Sequence, residues 1–553
     1  MAVREPITEF DTHTVTNQPP PLDQYNAYLA DSVLREAVER EGGGWADQRL
    51  RDFGAQTGAA EMQELAAAAN RHVPEFRPFD RFGQRIDEVV FHPAYHRLME
   101  IAVGSELPSI AWTANRSGSH IAHVALTYLF YQVEQGVNCP LAMTYAAIPS
   151  LRRQPELAAE WEPRLLSTDY DPRCVPAAEK RGAQIGMAMT EKQGGSDVRA
   201  NTTRAIHSGE GDAYLLTGHK WFCSAPMCDA FLTLAQTEAG PTCFLVPRWR
   251  PDGSRNPFHI QRLKDKLGDR SNASSEIEYR GTWAQRVGEE GRGIRAIMDM
   301  VHHTRLECTT APAALMRQAT VQALHHAHNR STFGRKLVEH QLMRNVLADL
   351  AVESEAATAL ALRVARAFDA AHHGESGESF SRLAVAVSKY WLNKRVTAHV
   401  VEAMECLGGA GYVEESVMPR LYRQAPLNGI WEGSGNVICL DVLRTIAREP
   451  DSLERFMSEL SLARGGDDRL DMAIAGLEKV LDDRAGLEPN ARRVVELMAV
   501  TLQGSLLVQF APEAVADAFC ATRLGGDWGL AYGTLPADAP VDYLIDRAWP
   551  TGF

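Results

Sequence analysis

A stretch of short β-type runs interrupts a chain that otherwise shows helical periodicity. Short apolar runs bounded by turn residues are typical of strands, and they occur at 185–190, 214–217, 231–236, 243–247 and 276–279. Apolar residues recur every three or four positions, as in amphipathic helices, at 32–41, 59–72, 94–103, 121–133, 341–372 and 381–407. The sequence therefore predicts a mainly α fold with a small β domain inserted between helical blocks.

The chain of 553 residues is long enough for three or four domains, at about 150 residues per domain. Pro19, Pro20 and Pro21 exclude a helix near the start, because prolines lack amide donors, so we expect an extended arm that lies on another surface. We predict four domains, and the order is an N-terminal arm and helical domain (1–182), a β domain (183–288), a helical bundle (289–445) and an extra C-terminal helical domain (446–553).

The composition excludes some classes of protein. Hydrophobic residues make up 45% and charged residues 23%, which is typical of a globular chain and not of a disordered one. We expect no membrane span, because the uncharged apolar runs are far shorter than the roughly 18 residues that a span needs. The first residues lack the basic and apolar segments of a secretory signal, so we expect a cytoplasmic protein. Nine cysteines without a Cys-x-x-Cys pair indicate reduced thiols.

Two segments combine residues that suit a phosphate or a polar cofactor. In 188–197 two adjacent glycines let backbone amides approach a ligand, and Thr190 and Ser196 place hydroxyls beside them. Segment 330–341 offers the guanidinium of Arg330, an aromatic ring and an amide. Taken alone, the first is equally explained by an ordinary turn and the second by a solvated helix end.

Two further segments lie in the C-terminal half. Segment 407–412 has three glycines that could admit a pyrophosphate, but it does not follow a strand and so does not support a nicotinamide-binding fold. In 430–436, Glu432 follows Trp431. A carboxylate beside an apolar wall loses hydration, which raises its pKa and makes it a proton acceptor near neutrality. The alternative is an exposed turn residue.

Together the four segments resemble the acyl-CoA dehydrogenase superfamily of flavoproteins, in order and in spacing. The first matches the flavin-domain signature and the second the Arg-x-x-Phe-Gly motif. Segment 405–424 is similar to the C-terminal signature, with Glu405 where many members have Gln and Gln424 where an acidic residue is usual. The resemblance extends to the AidB-type branch, which is associated with the response to DNA alkylation. That closer resemblance is carried by segments 12–18, 90–93, 189–197, 263–268 and 431–436 and by the extra C-terminal domain.

The resemblance implies a mainly α fold with a central β-barrel domain, a four-helix bundle and FAD held between the two. The residues that would line the flavin are Met187, Met189, Thr190, Gly195, Ser196, Phe222 and Ser224. Those that would reach the adenosine diphosphate portion across a subunit boundary are Arg330, Phe333, Gln341, Gly408 and Gly409. The remaining cofactor contacts would come from Trp431, Gly433, Ser434 and Asn436. Because the site is shared, we expect a homotetramer, or at least a dimer.

The resemblance also implies the chemistry. Glu432 matches the family's catalytic base, which removes an α-proton from an acyl-CoA thioester while the β-hydride leaves for flavin N5. The substrate would meet Thr190 and Ser196, and also Arg305, which matches an arginine near the acyl site. These residues imply an FAD-dependent acyl-CoA dehydrogenase-like oxidoreductase, with activity that could be weak.

The alternative is a flavin-containing protein that binds or protects DNA and has a vestigial dehydrogenase site. The formal charge of −14 opposes it, as do the 18 acidic and 10 basic residues of 446–553, because duplex binding depends on neutralising phosphates. Arg492, Arg493 and Arg523 are the best candidates for a composite basic patch. We expect duplex DNA to bind weakly or not at all.

Histidine pairs at 302–303, 325–328 and 372–373 could suggest a metal site. Adjacent histidines point to different helix faces, and His325 and His328 have no carboxylate at matching spacing. We therefore predict surface histidines and no metal.

Overall fold

The computed structural model describes residues 6–375, 377–483 and 486–549, and the part that it describes is mostly helical. The N-terminal region is a helical layer with one antiparallel hairpin between its third and fourth helices. Its elements are α1 (Ser32–Arg40), α2 (Asp47–Thr57), α3 (Ala60–Arg71), β1 (Glu75–Phe79), β2 (Arg85–Val90), α4 (Pro93–Gly104), α5 (Ile110–Thr113), α6 (Ser119–Tyr131), α7 (Asn138–Leu151) and α8 (Pro155–Leu165). The hairpin was not predicted from the sequence.

The β domain closes into a five-stranded barrel. Its strands are β3 (Ile185–Ala188), β4 (Arg204–His207), β5 (Ala213–Ser224), β6 (Ala230–Thr237), β7 (Gly240–Pro247), β8 (Phe258–Leu263) and β9 (Ser274–Val287). The order around the barrel is β4, β5, β9, β7 and β6, and the parallel contact between Arg204 and Gln236 joins β4 to β6. Strands β3 and β8 extend it. The predicted fold class, mainly α with a central β-barrel, is confirmed.

A bulge in β5 changes the direction of two aromatic side chains. Lys220 pairs with Ile277 and Cys223 pairs with Ser275, so three steps on β5 oppose two on β9. The Lys220 and Cys223 side chains are buried in the barrel, whereas Trp221 is partly exposed and Phe222 is exposed. Bulges often redirect side chains beside functional sites. Here the bulge presents two consecutive aromatic rings outside the barrel.

The bundle is built from three long helices and α14. Its elements are α9 (Gly293–Asn329), β10 (Ser331–Thr332), β11 (Arg335–Lys336), α10 (Gln341–His372), α11 (Gly377–Cys406), α12 (Gly409–Tyr412), α13 (Met418–Gln424) and α14 (Gly435–Arg448). The helix α10 has the bounds that the apolar period predicts. Because α10 and α11 pack as an antiparallel pair, the start of α10 and the end of α11 lie at the same end of the bundle.

The C-terminal region packs on α10 and α11. Its helices are α15 (Pro450–Ser461), α16 (Asp468–Asp482), α17 (Ala491–Phe510), α18 (Glu513–Phe519) and α19 (Val541–Ala548). By length and composition α17 could cross a membrane, but 67% of its apolar window is buried inside the protein. Its packing against α10, α11, α14, α15, α16 and α18 is that of a core helix.

A buried ion cluster joins this region to the bundle. Arg523 donates to Asp349 at 2.5 Å and to Glu353 at 2.9 Å, and Arg395 donates to Glu353 from the other side at 3.0 Å. The guanidinium of Arg523 also lies over the Trp528 ring. The Arg523 side chain is only 2% exposed, so it is not available to a DNA phosphate.

The N-terminal arm lies on the end of α9. Asn17 exchanges hydrogen bonds with the backbone of Ser331, and its carbonyl accepts from Arg330 at 2.7 Å. The carbonyl of Pro20 bonds to the ring of His325 at 2.8 Å. The arm thus covers a surface of its own chain, next to the Arg-x-x-Phe-Gly motif.

The expectation of surface histidines holds for His372 and His373, which are exposed, and is wrong for His325 and His326. His325 and His326 are buried, and His302 and His303 pack in an aromatic cluster with Phe368. Within the described ranges, no group of three or more His, Cys, Asp or Glu side chains has the geometry to hold a metal ion.

Buried histidines give the folded state a pH dependence. Burial lowers the pKa of His399 to about 3 and that of His303 to about 4, while an unfolded histidine titrates near 6.5. Their stabilising contribution is therefore complete above pH 6.5 and is lost as the pH falls, because the unfolded chain binds the protons. Between about pH 7.5 and about pH 5.5, we expect His399 alone to cost about 1.4 kcal/mol in the free energy of unfolding.

Urea unfolding at both pH values measures this loss. The His399→Gln variant keeps a polar group that can face Thr320, and it is expected to lose about 1.4 kcal/mol less than the wild type between the two pH values. An identical pH dependence for the variant and the wild type would contradict the prediction.

Candidate active site

Glu432 lies in the loop between α13 and α14 and points at α9. Its Oε2 accepts a hydrogen bond of 2.8 Å from Thr304 Oγ1. The residue is half-buried and has a φ of +56°. Burial raises the pKa of the carboxyl, and the Thr304 hydroxyl, Lys389 and Arg305 only partly offset this. A carboxyl that is held in one place and has a raised pKa is suited to accept a proton.

Two buried cations hold the backbone of this loop. Arg305 donates from Nε to the Glu432 carbonyl at 3.2 Å, and Lys389 donates to the carbonyls of Asn428 and Gly433 at 2.9 and 2.8 Å. A left-handed conformation costs a residue with a side chain about 1–3 kcal/mol and persists only where its surroundings impose it. These backbone contacts impose it on Glu432.

Arg305 is fixed on its other side by Asp441, at 2.7 Å. Burial by itself raises the pKa of the Asp441 carboxyl, but Arg305 and Arg382 have the larger effect and lower the pKa to about 2. This carboxylate therefore stays charged. The structure thus places Arg305 behind the base as a positioning residue. A direct contact of Arg305 with the acyl group stays a prediction.

The loop after β3 is built around a second buried pair. Glu191 accepts from Lys220 Nζ at 3.0 Å and from the backbone amides of Thr202 and Thr203 at 2.7 and 3.1 Å. Both charged side chains are fully buried. Although burial opposes it, Lys220 and these hydrogen bonds hold the pKa of Glu191 well below its usual range. The pair fixes the loop that carries Thr190 and the two glycines.

Replacing Glu191 by glutamine removes the charge that balances Lys220. Because hydrogen bonds to charged groups contribute about 1.5–3 kcal/mol, we expect the free energy of unfolding to fall by about 2 kcal/mol. Urea unfolding of Glu191→Gln measures this, with Lys192→Gln as the control because Lys192 is the exposed neighbour. Equal stability of the two variants would show that the pair does not hold the loop.

Gly195 makes room for the Thr190 side chain. A Cβ at position 195 would lie 2.4 Å from Thr190 Oγ1, so any other residue would displace that hydroxyl. Thr190 is half-buried and Ser196 is exposed, as are both glycines. The glycines and the two hydroxyls thus form one accessible polar edge, which fits a flavin ring.

Cys139 of α7 is near both Ser224 of the barrel and Glu432. Burial raises the pKa of its thiol; Asp269 and Glu432 raise it further, and the Ser224 hydroxyl lowers it. Ser224 also lies 3.1 Å from the Ser274 hydroxyl at the end of β9. One thiol is therefore within electrostatic reach of both Ser224 and Glu432, which brings the barrel residues and the carboxylate to one region.

The bulge in β5 adds residues that the sequence did not indicate. Lys264 Nζ lies 3.2 Å from the centre of the Trp221 ring and 4.6 Å from that of Phe222. Of these three residues, the sequence predicts Phe222 alone as a cofactor residue. Sequence periodicity could not indicate Trp221, because alternation along a strand would place Trp221 on the opposite face from Phe222. Met187 and Met189 are partly buried at the end of β3 and pack against the core.

Most of the residues expected at the adenosine diphosphate portion are exposed at one end of the bundle, whereas Arg330 is half-buried and donates to the N-terminal arm. Phe333 is 98% exposed at the tip of the β10–β11 hairpin, in a left-handed conformation. Gln341 begins α10, and Gly408 and Gly409 follow α11, with open space where a Cβ would stand. An exposed aromatic ring and accessible glycine backbone form a surface that a ligand or another subunit can cover.

The predicted residues at the start of α14 are accessible. Ser434 is the N-cap of α14, and its exposed hydroxyl makes no capping bond. Trp431 donates to Asn428 at 2.6 Å, and Gly433 has a φ of +100°. The Asn436 amide oxygen accepts from Arg492 of α17 at 2.8 Å. A free helix amino end with a hydroxyl beside it fits a phosphate group, so the residues present fit FAD.

The comparisons with known proteins agree with this geometry. Residues 17–172 match the N-terminal domain of the adaptive response protein AidB. Residues 186–282 match the acyl-CoA dehydrogenase middle domain, and residues 291–447 match the C-terminal domain of the same family.

Relatives and solved structures extend the match over more than nine-tenths of the chain. AidB of Escherichia coli (strain K12), a protein of the acyl-CoA dehydrogenase type, is 44% identical over 93% of this chain and 95% of its own. The structure of Caenorhabditis elegans ACDH-11 in complex with C11-CoA has a TM-score of 0.83 at 26% identity and covers 94% of each chain. An acyl-CoA dehydrogenase from Bacillus anthracis complexed with FAD shares the fold, with a TM-score of 0.66 at 15% identity over 94% of this chain and 91% of its own. The chain therefore belongs to the acyl-CoA dehydrogenase family of FAD-dependent oxidoreductases, in its AidB-type branch.

Proposed function

We propose that this chain oxidises an acyl-CoA thioester and that Glu432 removes the α-proton. The observation that carries the proposal is the fixed, half-buried carboxyl of Glu432, which bonds to Thr304 and has a raised pKa. Arg305 and Lys389 fix its backbone. A base works best when its pKa approaches the working pH and its position is fixed before the substrate arrives.

The other side of the site is the accessible edge of the barrel. FAD, when it is bound, supplies the acceptor for the hydride that leaves the β-carbon. The chain's own part is to hold the cofactor at Thr190 and Ser196 and at the start of α14. Thr190 owes its position to Gly195, and Glu191 with Lys220 fixes the loop. Burial around Glu432 limits the access of water to its carboxyl.

Acyl-CoA thioesters with chains of medium length are the proposed substrates. The support is the C. elegans structural neighbour with C11-CoA, which shares 26% of its residues with this chain. The test is an anaerobic titration of the FAD-loaded protein with saturated acyl-CoA thioesters of increasing chain length, followed at the flavin absorbance. Loss of the flavin band with at least one thioester supports the proposal. The proposal would be contradicted by a flavin that is reduced by dithionite but by none of the thioesters.

We also propose that the chain assembles as a homotetramer, with the bundle end completing the cofactor site of a neighbour. The support is the exposed apolar surface at that end, which includes Phe333, Leu342 and Tyr412. Sedimentation of wild type and of Phe333→Asp tests this, and a wild-type monomer would contradict it.

For the response to DNA alkylation, we propose that the chain acts through its flavin site and not by holding duplex DNA. Arg523 is buried in ion pairs, and Arg464, Arg469 and Arg547 are paired with carboxylates. These ion pairs reduce the positive charge that the acidic C-terminal region can offer to phosphates. Tight binding of a duplex at physiological salt would contradict this proposal.

A further inference from the structure

The extra C-terminal region reaches the cofactor end of the site through one side chain. Arg492 lies in the first turn of α17, and its Nε donates to the Asn436 amide oxygen at 2.8 Å. Asn436 is in the first turn of α14, four positions after Glu432. The contact fixes which atoms Asn436 presents, because its oxygen is directed at Arg492 and its amide N–H groups are left for another acceptor.

Arg492 is in an unusual place for the stability of its own helix. A cation in the first turn opposes the helix dipole by about 0.3–1 kcal/mol, and α17 has no acidic residue in its first turn. The first turn of α14 has none either. The helix dipole of α17 therefore does not favour Arg492, and the contact that the structure shows for its side chain is the one with Asn436.

A second cation lies at the same point. Lys394 of α11 covers Gly435, so that a Cβ built at position 435 would lie 3.1 Å from Lys394 Nζ. Lys394, Arg492 and the amino end of α14 thus concentrate positive charge beside the free hydroxyl of Ser434. Oriented amides, a hydroxyl and two cations are what a diphosphate requires.

We infer that Arg492 is a cofactor-positioning residue, by which the C-terminal region contributes to FAD binding. It orients Asn436 and adds a cation for the diphosphate of FAD. The inference rests on the proposed function, in that it takes FAD to occupy this end of the site. It gives the extra region a direct part in the site, in addition to its packing on the bundle.

The test is the affinity of the full-length apo protein for FAD, measured by the quenching of flavin fluorescence. We expect Arg492→Ala to weaken FAD binding by about tenfold, the effect of losing one charge-assisted contact. Arg492→Lys keeps the charge and is expected to recover part of the affinity. Arg493→Ala is the matched control, because Arg493 is the exposed neighbour in the same turn, and its affinity should equal that of wild type.

Two further measurements separate positioning from folding. Thermal unfolding of apo Arg492→Ala should not occur at a lower temperature than that of apo wild type, because the side chain is exposed and its charge opposes the dipole of α17. The affinity of Arg492→Ala should also depend less steeply on salt, because one cation fewer faces the phosphates.

An FAD affinity of Arg492→Ala within twofold of wild type would overturn the inference, as would equal losses in Arg492→Ala and Arg493→Ala. The proposed function fails by a different result, a flavin that is bound but is not reduced by acyl-CoA.

Discussion

Replacing Glu432 by glutamine is expected to slow the reduction of the bound flavin by acyl-CoA by about 10²–10⁴-fold, the usual contribution of a general base. Glutamine has nearly the same shape and can still bond to Thr304, so the loop and the cofactor should be unaffected. Stopped-flow absorbance under anaerobic conditions measures the rate. Dithionite should reduce the variant as completely as the wild type.

Thr304→Val is the matched control for this prediction. It removes the hydrogen bond to the carboxyl but leaves the carboxyl itself, so we expect a rise in the pH at which the rate is half-maximal, because the Thr304 hydroxyl lowers the pKa of Glu432. The rate at high pH should stay near that of wild type. A Glu432→Gln variant that is reduced as fast as wild type would show that another group takes the proton.

Replacing Arg523 by methionine is expected to lower the free energy of unfolding by about 3–5 kcal/mol. The change removes the arginine that bonds to Asp349, and it leaves Arg395 as the remaining arginine bonded to Glu353. Removing one partner from a buried ion pair lowers the free energy of unfolding by about 3–5 kcal/mol. Although burial opposes it, Arg395 and Arg523 together lower the pKa of Glu353 to about 2, which shows how strongly the charges interact. Urea unfolding at neutral pH measures the loss.

Arg493→Met is the control, because Arg493 is an exposed residue of the same region, and its stability should change by less than about 0.5 kcal/mol. If the difference in the free energy of unfolding between Arg523→Met and wild type became smaller at low pH, protonation of Glu353 would be the cause. Equal stabilities of Arg523→Met and Arg493→Met at neutral pH would contradict the role of the cluster.

Helical periodicity and motif order predicted much of this protein. The apolar stripe at 341–372 predicts the helix α10 because a long amphipathic helix needs only local spacing. Glu432 was predicted from its aromatic neighbour and the family resemblance. The structure adds the residues that hold it in place, Thr304 and Arg305, which lie on α9, more than a hundred residues earlier.

Other features depend on tertiary contacts that no local pattern encodes. The bulge at Trp221 exists because β5 and β9 pair out of step, and the pairing of Arg492 with Asn436 depends on how α17 packs on α14. The buried state of His325 depends on the arm that covers it. In each case the partner is distant in sequence.

The central claim, that Glu432 removes the α-proton of an acyl-CoA while the hydride leaves, is tested most directly by an isotope effect. Anaerobic reduction of the FAD-loaded wild type is compared for a thioester with hydrogen and one with deuterium at the α-carbon. The account predicts slower reduction with the deuterated thioester, and no measurable reduction of Glu432→Gln on the same timescale. Equal rates for the two thioesters, together with a fully reactive Glu432→Gln, would contradict it.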